Sequence, residues 1–155
     1  MPAVPENTLI LDTTQGPVTI ELRPDLAPNH VARIKELARQ GFYDGVVFHR
    51  VIEGFMAQTG DPTGTGRGGS GQKLGAEFSR EPHVRGAVSM ARAQAPDSAD
   101  SQFFICFDDA GFLDGQYTVW GEVTAGMDNV DKIKRGEPAS NPDKMVSVKV
   151  GADVA

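Results

Sequence analysis

The sequence predicts a mainly β protein, a closed eight-stranded antiparallel β-barrel capped by two α-helices. Three observations lead to this fold class: many short runs rich in β-branched and aromatic residues, glycine-containing turns between most of those runs, and only two segments with helical periodicity. The chain has 155 residues, the length of one ordinary domain, and no shift in composition divides it. We therefore expect a single domain over residues 1–155.

The predicted strands are short and follow one another along most of the chain. They cover residues 8–13, 17–22, 46–52, 55–59, 87–91, 103–107, 118–123 and 145–150. The turns at residues 14–16 and 53–54 are too short for the crossover that a parallel pair of strands needs, so we expect antiparallel pairing. Eight such strands are typical of a closed barrel.

Two segments have the spacing of amphipathic helices. The first, residues 28–40, has a proline suited to the first turn and Gly41 just past its end, and its apolar residues recur at helical spacing: Val31, Ile34, Leu37 and Ala38. The second, residues 127–135, is shorter and ends before Gly136. Each helix has one apolar face to bury, so the simplest arrangement places the two helices over the open ends of the barrel.

Net charge and the first residues of the chain narrow the classes of partner. Asp and Glu number 21 against 15 Lys and Arg, which gives a formal net charge of −6 and disfavours nucleic acid as a partner. Residues 1–7 carry no Lys or Arg and lead into only a short apolar stretch. Neither a signal peptide nor a membrane-spanning helix is predicted, and we expect a cytoplasmic protein without a membrane partner.

Side-chain patterns for metal and cofactor chemistry are missing from the sequence. The single cysteine, Cys106, excludes an intramolecular disulfide, and its apolar neighbours predict a buried, inert thiol. The histidines lack the spacing of metal ligands. Acidic residues before Gly115 do not form a calcium loop, because the required spacing puts Ala110 and Phe112 at ligand positions. We therefore expect no metal and no cofactor.

Residues 43–60 combine an arginine and a glutamine with many large apolar side chains. Because side chains alternate between the faces of a strand, Met56 and Gln58 share one face of the predicted strand 55–59. The same alternation places Gln102 and Phe104 together and leaves their neighbours for the core. In two strands, therefore, an amide side chain and a large apolar side chain lie on the same face.

The segment 43–60 resembles the signature of the cyclophilin-type peptidyl-prolyl cis-trans isomerases, and residues 86–91, 101–105 and 112–115 resemble further motifs of that family in the same order and spacing. The resemblance extends over nearly the whole chain and is closest to the bacterial single-domain members. It implies an eight-stranded antiparallel barrel with two helices and an isomerase that rotates X-Pro peptide bonds without a cofactor. The resemblance also implies that the enzyme assists protein folding and, like a chaperone, acts on unfolded proteins.

The family resemblance also implies roles for individual residues. It makes Arg50 the catalytic residue. It assigns the proline pocket to Phe55, Met56, Phe104 and Leu113, and polar contacts with the substrate backbone to Gln58 and Gln102. Ala91 and Arg92 form the backbone edge along which the peptide lies, and Phe112 and Tyr117 lie at the margin of the pocket. Arg92 stands where family members often have Asn, Tyr117 where many eukaryotic members have His, and Phe112 where members that bind cyclosporin tightly have Trp.

Three functions from different classes remain open at this point. The first is an isomerase acting on proline-containing peptides and unfolded proteins as a monomer, with weak cyclosporin binding. The second is a module or chaperone that binds proline peptides without turnover, against which Arg50 argues, because a guanidinium can donate to the twisted amide. The third is nucleotide binding by the glycine-rich residues 64–69, but no helical pattern follows them, and a surface loop fits better.

Overall fold

Nine β-strands and two α-helices make up the described part of the chain. The computed structural model describes residues 5–64, 68–92, 95, 97–136 and 142–154. The strands are β1 Thr8–Thr13, β2 Gly16–Leu22, β3 Val46–Val47, β4 Arg50–Ile52, β5 Met56–Thr59, β6 Ala87–Met90, β7 Phe103–Cys106, β8 Val119–Ala125 and β9 Lys144–Val150. The helices are α1 Pro28–Arg39 and α2 Met127–Asp131, and short 3₁₀ turns cover Pro5–Asn7, Gly111–Leu113 and Gly151–Val154.

All nine strands belong to one sheet in the order β3-β9-β1-β2-β8-β6-β7-β5-β4. Every pair of neighbouring strands is antiparallel. This confirms the predicted antiparallel pairing, the dominance of β-structure and the two helices. Residues 64–69 fall partly outside the described residues, because Thr65, Gly66 and Arg67 are not among them.

The sheet is a curled half-barrel of nine strands, which corrects the predicted closed barrel of eight. The predicted strand 46–52 is broken into β3, which pairs with β9, and β4, which pairs with β5 at the opposite edge of the sheet. The Phe48 backbone N–H donates to the carbonyl oxygen of Asp143 at 2.8 Å, which continues the β3–β9 register by one residue, whereas Arg50 is already paired with Gln58 on β5. The chain therefore changes its pairing partner between Phe48 and Arg50.

The two edge strands are nevertheless close, since only Phe48 and His49 separate them in the chain. The hydroxyl of Thr59 on β5 donates to the carbonyl oxygen of Val47 on β3 at 2.9 Å. Within the described residues 46–52, no ladder joins β3 to β4. A side-chain hydrogen bond therefore joins edge strand β3 to β5, the strand next to the opposite edge strand β4, where the prediction expected continuous strand pairing.

Helix α2 ends at Asp131, four residues earlier than predicted. The backbone N–H groups of Lys132 and Ile133 donate to carbonyls three residues back, which is the tighter 3₁₀ pattern. Arg135 Nη1 then donates hydrogen bonds to the carbonyl oxygens of Asp131 and Ile133, at 2.6 and 2.7 Å. Apolar periodicity continues through this turn, which is why the sequence pattern overestimated the length of the helix.

The inner face of the sheet carries the main hydrophobic core. Tyr43, Phe103 and Trp120 are fully buried and meet edge to face, with ring centroids 5.5 and 5.3 Å apart. The Tyr43 hydroxyl satisfies its hydrogen bond inside the core by donating to the carbonyl oxygen of Ser101 at 2.9 Å. Helix α1 covers this core with its own apolar residues, including Val31 and Ile34.

A second, smaller hydrophobic cluster lies on the outer face of the sheet. Its buried members are Met56, Ala87, Phe104, Cys106, Ala110 and Leu113. Phe103 and Ile105 on β7 point into the main core, whereas Phe104 and Cys106 point outward, as the strand alternation predicted. None of the helices in the described residues is long and apolar enough to cross a membrane.

Candidate active site

The strand register brings four outward-facing residues into one row across the sheet. Arg50 on β4 is opposite Gln58 on β5, Gln58 is opposite Phe104 on β7, and Phe104 is opposite Ser89 on β6. Paired residues on one face of a sheet have Cβ atoms about 5 Å apart, so the row is continuous. Residues far apart in the sequence thus form one surface feature on the outer face.

A cavity of about 110 Å³ opens along this row. Its lining consists of Arg50, Phe55, Met56, Gln58, Ala91, Arg92, Phe104, Leu113 and Tyr117. All nine were site residues in the sequence analysis. Strand alternation would place Phe55 on the face opposite to Met56. Phe55 comes just before β5, however, and packs against the outer cluster together with Met56.

One side of the cavity is polar. Arg50 is exposed, and its Nη1 donates to Gln58 Oε1 at 3.4 Å. Gln58 Nε2 donates to Gln102 Oε1 at 3.0 Å, and Gln102 Nε2 donates to the carbonyl oxygen of Gly68 at 3.0 Å. Gln102 is therefore linked to the cavity through Gln58. This chain of donors orients the guanidinium and both amides beside the apolar lining.

The opposite side of the cavity is built from stacked side chains. The Arg92 guanidinium carbon lies 4.8 Å from the centroid of the Tyr117 ring, and its Nε and Nη2 donate to the carbonyl oxygen of Gln116 at 3.1 and 2.8 Å. Tyr117 in turn meets Phe104 edge to face at 5.9 Å. A cation over an aromatic face is an attractive arrangement, and it gives Tyr117 a structural place in the cavity wall.

Two predicted site residues lie at the margin. Phe112 is 69% exposed, and its ring centroid is 5.5 Å from that of Phe55. Ala91 lines the cavity and uses its backbone N–H to donate to the carbonyl oxygen of Gln102 at 2.9 Å. The hydrogen bond of Ala91 thus continues the β6–β7 pairing by one residue beside the cavity.

Sequence reasoning missed a buried polar group behind the cavity. His83 is fully buried, and its Nδ1 lies 3.0 Å from Asp114 Oδ1 while its Nε2 lies 2.9 Å from Ser89 Oγ. Burial lowers the pKa of His83, against the opposing effect of the Asp114 carboxylate. Hydrogen bonds from the His83 backbone and ring lower the pKa of Asp114. No local pattern signals this group, because His83 and Asp114 are separated by 31 residues.

The described residues contain no cluster of three or more His, Cys, Asp or Glu side chains that could hold a metal ion. Cys106 is buried in the outer cluster, and burial raises the pKa of its thiol to about 12. A thiol with such a pKa stays protonated and is a poor nucleophile. At the cavity, Arg50 and Gln58 supply hydrogen-bond donors beside an apolar lining that can bind a ligand.

The protein-family model described as "Cyclophilin type peptidyl-prolyl cis-trans isomerase/CLD" matches residues 8–151. The chain belongs to this family. A probable peptidyl-prolyl cis-trans isomerase of Brucella suis is 57% identical over 168 aligned residues, covering 97% of this cyclophilin-type chain and 86% of the relative. A peptidyl-prolyl cis-trans isomerase of Helicobacter pylori is 46% identical, covering 82% of this chain and 80% of the relative.

Solved cyclophilin structures have the same fold. A cyclophilin from Hirschia baltica superposes with a TM-score of 0.91 at 35% identity, covering 99% of this chain and 77% of that chain. A cyclophilin-type isomerase from Cryptosporidium parvum, crystallised in the presence of the dipeptide Ala-Pro, superposes with a TM-score of 0.86 at 27% identity, covering 92% and 98%. Among the functions left open by the sequence, family membership therefore supports the isomerase.

Proposed function

We propose that this cyclophilin-type isomerase holds the proline ring in the apolar part of the cavity while Arg50 donates a hydrogen bond to the prolyl nitrogen. The observation that carries the proposal is the register of Arg50 with Gln58 beside the cavity lined by Met56, Phe104 and Leu113. Apolar and donor groups are thereby set next to each other on one face of the sheet.

The chemistry of the peptide bond explains why such a donor is useful. Resonance gives the C–N bond double-bond character and a rotational barrier of about 18–20 kcal/mol. In the twisted transition state the prolyl nitrogen regains its lone pair and becomes a hydrogen-bond acceptor. A donor aimed at that nitrogen binds the transition state more strongly than either planar isomer, which is the condition for catalysis. Arg50 remains protonated at every relevant pH.

The amides complete the mechanism by holding the other side of the rotating bond. Gln58 lines the cavity and is oriented by its hydrogen bond to Gln102, which is itself bonded to the carbonyl oxygen of Gly68. An amide has two N–H groups and two oxygen lone pairs, so Gln58 can bind a substrate carbonyl or N–H in addition. Lowering the barrier by about 7 kcal/mol accelerates rotation roughly 10⁵-fold. Positioning together with a few preorganised donors is sufficient for an effect of that size.

We further propose that the substrates are X-Pro bonds in unfolded or flexible polypeptides and that the enzyme assists protein folding. The cavity is small and borders on exposed side chains such as Arg50 and Phe112, so it can accept a proline ring from an extended segment but not a folded surface. The Ala-Pro dipeptide present with the Cryptosporidium parvum relative supports a proline-sized site. Weak binding of the cyclic peptide cyclosporin belongs to the same proposal.

Replacing Arg50 with Ala tests the catalytic role. We expect kcat/KM to fall about 10²–10³-fold, because the variant loses a donor used chiefly in the transition state. The thermal unfolding curve should remain unchanged because Arg50 is exposed. Exchange NMR on an Ala-Pro peptide measures the rate, and Arg80→Ala, which removes an exposed arginine outside the cavity lining, is the control. An unchanged kcat/KM in a folded Arg50→Ala variant would remove Arg50 from the mechanism.

A further inference from the structure

The buried group behind the cavity forms a hydrogen-bonded series of four residues. Asp114 Oδ1 accepts the backbone N–H of His83 at 2.7 Å and lies 3.0 Å from its ring Nδ1. The other ring nitrogen lies 2.9 Å from Ser89 Oγ, which in turn lies 3.0 Å from the carbonyl oxygen of Thr118. Asp114 is half-exposed, whereas His83 and Ser89 are fully buried.

Two proton arrangements satisfy this series. Because Asp114 is an acceptor, His83 Nδ1 carries a proton in both. In the neutral ring Nε2 is an acceptor, so the Ser89 hydroxyl donates to Nε2. In the imidazolium both nitrogens donate, so Ser89 accepts from Nε2 and its own proton turns to the Thr118 carbonyl. That carbonyl also accepts the backbone N–H of Met90 at 2.9 Å, so it has a partner in either arrangement.

The series touches the cavity at two places. Ser89 stands opposite Phe104 in the same row as Arg50 and Gln58. The His83 ring is stacked on the Phe104 ring, with centroids 6.2 Å apart and planes inclined by 20°, and it meets Tyr117 edge to face at 6.4 Å. His83 thus supports, from behind, two of the aromatic side chains that line the cavity.

We propose that His83 is a positioning residue of this isomerase, which holds Phe104 and Tyr117 in place through Asp114 and Ser89, and that its protonation reverses the Ser89 hydrogen bond and reduces turnover in acid. The proposal rests on the isomerase activity and not on the role of Arg50. Neutral His83 is the working state. In acid, a buried positive charge lies behind Phe104 and the hydroxyl proton moves toward Thr118, which displaces the cavity wall.

Other groups around His83 do not explain an acid effect. In the described residues, the titratable groups that face or adjoin the ring are the Asp114 carboxyl, the Tyr117 phenol and, on the same face of β7, the Cys106 thiol. Asp114 is ionised because its pKa is lowered, and Cys106 stays protonated because its pKa is raised to about 12. Arg92, on the Tyr117 ring, keeps its charge. Rotation of an X-Pro bond itself transfers no proton.

The sign of the effect follows from burial. Because burial lowers the pKa of His83 below its ordinary value of 6.5, the ring is neutral at pH 7 and above and gains its proton only in more acidic solution. His49, beside Arg50, is the one competing histidine near the cavity in the described part of the chain, and burial lowers its pKa as well. The experiment must therefore separate the two rings.

The test is the pH profile of kcat/KM between about pH 4.5 and 8.5, measured by exchange NMR on an Ala-Pro peptide, with the His83 ring shifts titrated over the same range. We expect a plateau above about pH 7 and at least a threefold fall in acid, with the kinetic midpoint equal to the His83 midpoint. Asp114→Asn keeps an acceptor oxygen but removes the charge that stabilises the imidazolium. It should move both midpoints to lower pH by about 1 unit.

Further variants keep the proposal falsifiable. His83→Gln should flatten the acid fall and lower kcat/KM at pH 7.5 about tenfold. Asp109→Asn, which removes an exposed charge from the same segment, should leave the midpoint where it is. A wild-type profile that is flat to pH 4.5, a fall that coincides with loss of the circular dichroism signal, or a fall abolished by His49→Gln would overturn the proposal. If His83→Gln does not fold, the Asp114→Asn midpoint alone decides.

Discussion

At the scale of single residues, Phe112 is the most exposed large apolar side chain in the described part of the chain. Its ring leans on Phe55 at the edge of the cavity, 5.5 Å between centroids, and it is not part of the cavity lining. The family resemblance implies Trp at this position in members that bind cyclosporin tightly. Phe lacks the indole N–H and covers less surface, so a large cyclic ligand loses more here than a proline ring does.

Phe112→Trp should therefore tighten cyclosporin binding and change turnover little. A recovered hydrogen bond of about 0.5–1.5 kcal/mol corresponds to a 2- to 13-fold lower Kd. The affinity is measured by calorimetric titration and the turnover by exchange NMR, with Val146→Trp as a control at an exposed apolar residue on β9, outside the cavity lining. Equal or weaker affinity for Phe112→Trp would shift attention to Arg92 and Tyr117, the other departures from the family pattern.

Cys106 gives a second expectation at this scale. Its thiol is buried, and its pKa is raised to about 12, so it presents almost no thiolate at neutral pH. We expect kcat/KM to be unchanged after treatment with a thiol-blocking reagent, and unchanged by EDTA, because rotation needs neither a nucleophile nor a metal. Activity lost on chelation and regained on adding a divalent ion would show that a metal takes part.

At the scale of elements, helix α1 begins without a cap from its own sequence. Its N-cap residue, Ala27, has no side chain that can accept a hydrogen bond. Glu77, 47 residues away from His30, supplies the cap instead: its Oε1 accepts the His30 backbone N–H at 2.8 Å and its Oε2 accepts that of Asn29 at 3.3 Å. The same carboxylate lies 2.6 Å from the His30 ring Nδ1, and its charge suits the positive end of the helix.

Glu77→Ala should lower the free energy of unfolding by about 1–2 kcal/mol, because two backbone donors at the start of α1 lose their acceptor. Urea unfolding at pH 7 measures the change. Glu122→Ala removes the same side chain from an exposed position on β8 and should have a much smaller effect. Equal destabilisation in the two variants would show that the cap adds nothing.

This cap also marks the limit of prediction from the sequence. Local patterns predicted β1 and its neighbours because alternation and turn residues are properties of adjacent positions. They could not predict that Glu77 caps α1 or that His83 meets Asp114, because those contacts depend on the tertiary arrangement. The cavity-lining residues were found through the resemblance to family motifs, and the strand register then explains why they meet.

At the scale of the whole molecule, Asp143 joins parts of the chain that are distant in sequence. Its carboxylate accepts from Thr14 Oγ1 at 2.8 Å, from Gln15 Nε2 at 3.1 Å and from the Lys134 backbone N–H at 2.8 Å. Its own carbonyl takes the Phe48 N–H at the break between β3 and β4. Asp143 therefore forms hydrogen bonds to three separate parts of the fold: the β1–β2 turn, the segment after α2 and the open edge of the sheet.

Asp143→Ala should destabilise the fold by about 1–3 kcal/mol, because three donors lose a charged acceptor that is itself buried. Burial raises the pKa of this carboxyl, but the hydrogen bonds from Lys134, Thr14 and Gln15 together outweigh burial and lower it below its ordinary value of 3.8. The stabilisation is therefore complete above about pH 4 and is lost as the pH falls through the lowered pKa.

Guanidinium unfolding at pH 7 and pH 3 measures both effects. The difference between wild type and Asp143→Ala should shrink at the lower pH, whereas Asp12→Ala, at an exposed position on β1, should cost little at either pH. A difference that is the same at both values would mean that the ionised carboxylate is not what holds these segments together.

The closure of the sheet was the main error of the sequence analysis at this scale. Residues 46–52 read as one apolar run because Phe48 and His49 are large and buried like the strand residues around them. The change of pairing partner depends on distant parts of the chain: Phe48 still bonds to Asp143, 95 positions further along, whereas Arg50 is paired with Gln58 on β5. The pattern of apolar side chains predicts which residues are buried, but it does not predict which strand each of them pairs with. It therefore cannot distinguish one continuous strand from two short strands joined by buried residues.

The outward placement of the substrate-facing row has a consequence for how this protein can diversify. Arg50 and Gln58 point away from the main core, and neither belongs to its buried cluster. Exchanging Gln58, or the exposed Phe112 at the cavity margin, leaves Trp120 and its packing partners undisturbed, so new preferences for the residues flanking proline can arise without the loss of about 2–5 kcal/mol that interior truncations typically bring. Specificity in this scaffold is evolvable separately from stability, and a mutant library that keeps Arg50 and varies Gln58 and Phe112 should contain mostly folded proteins.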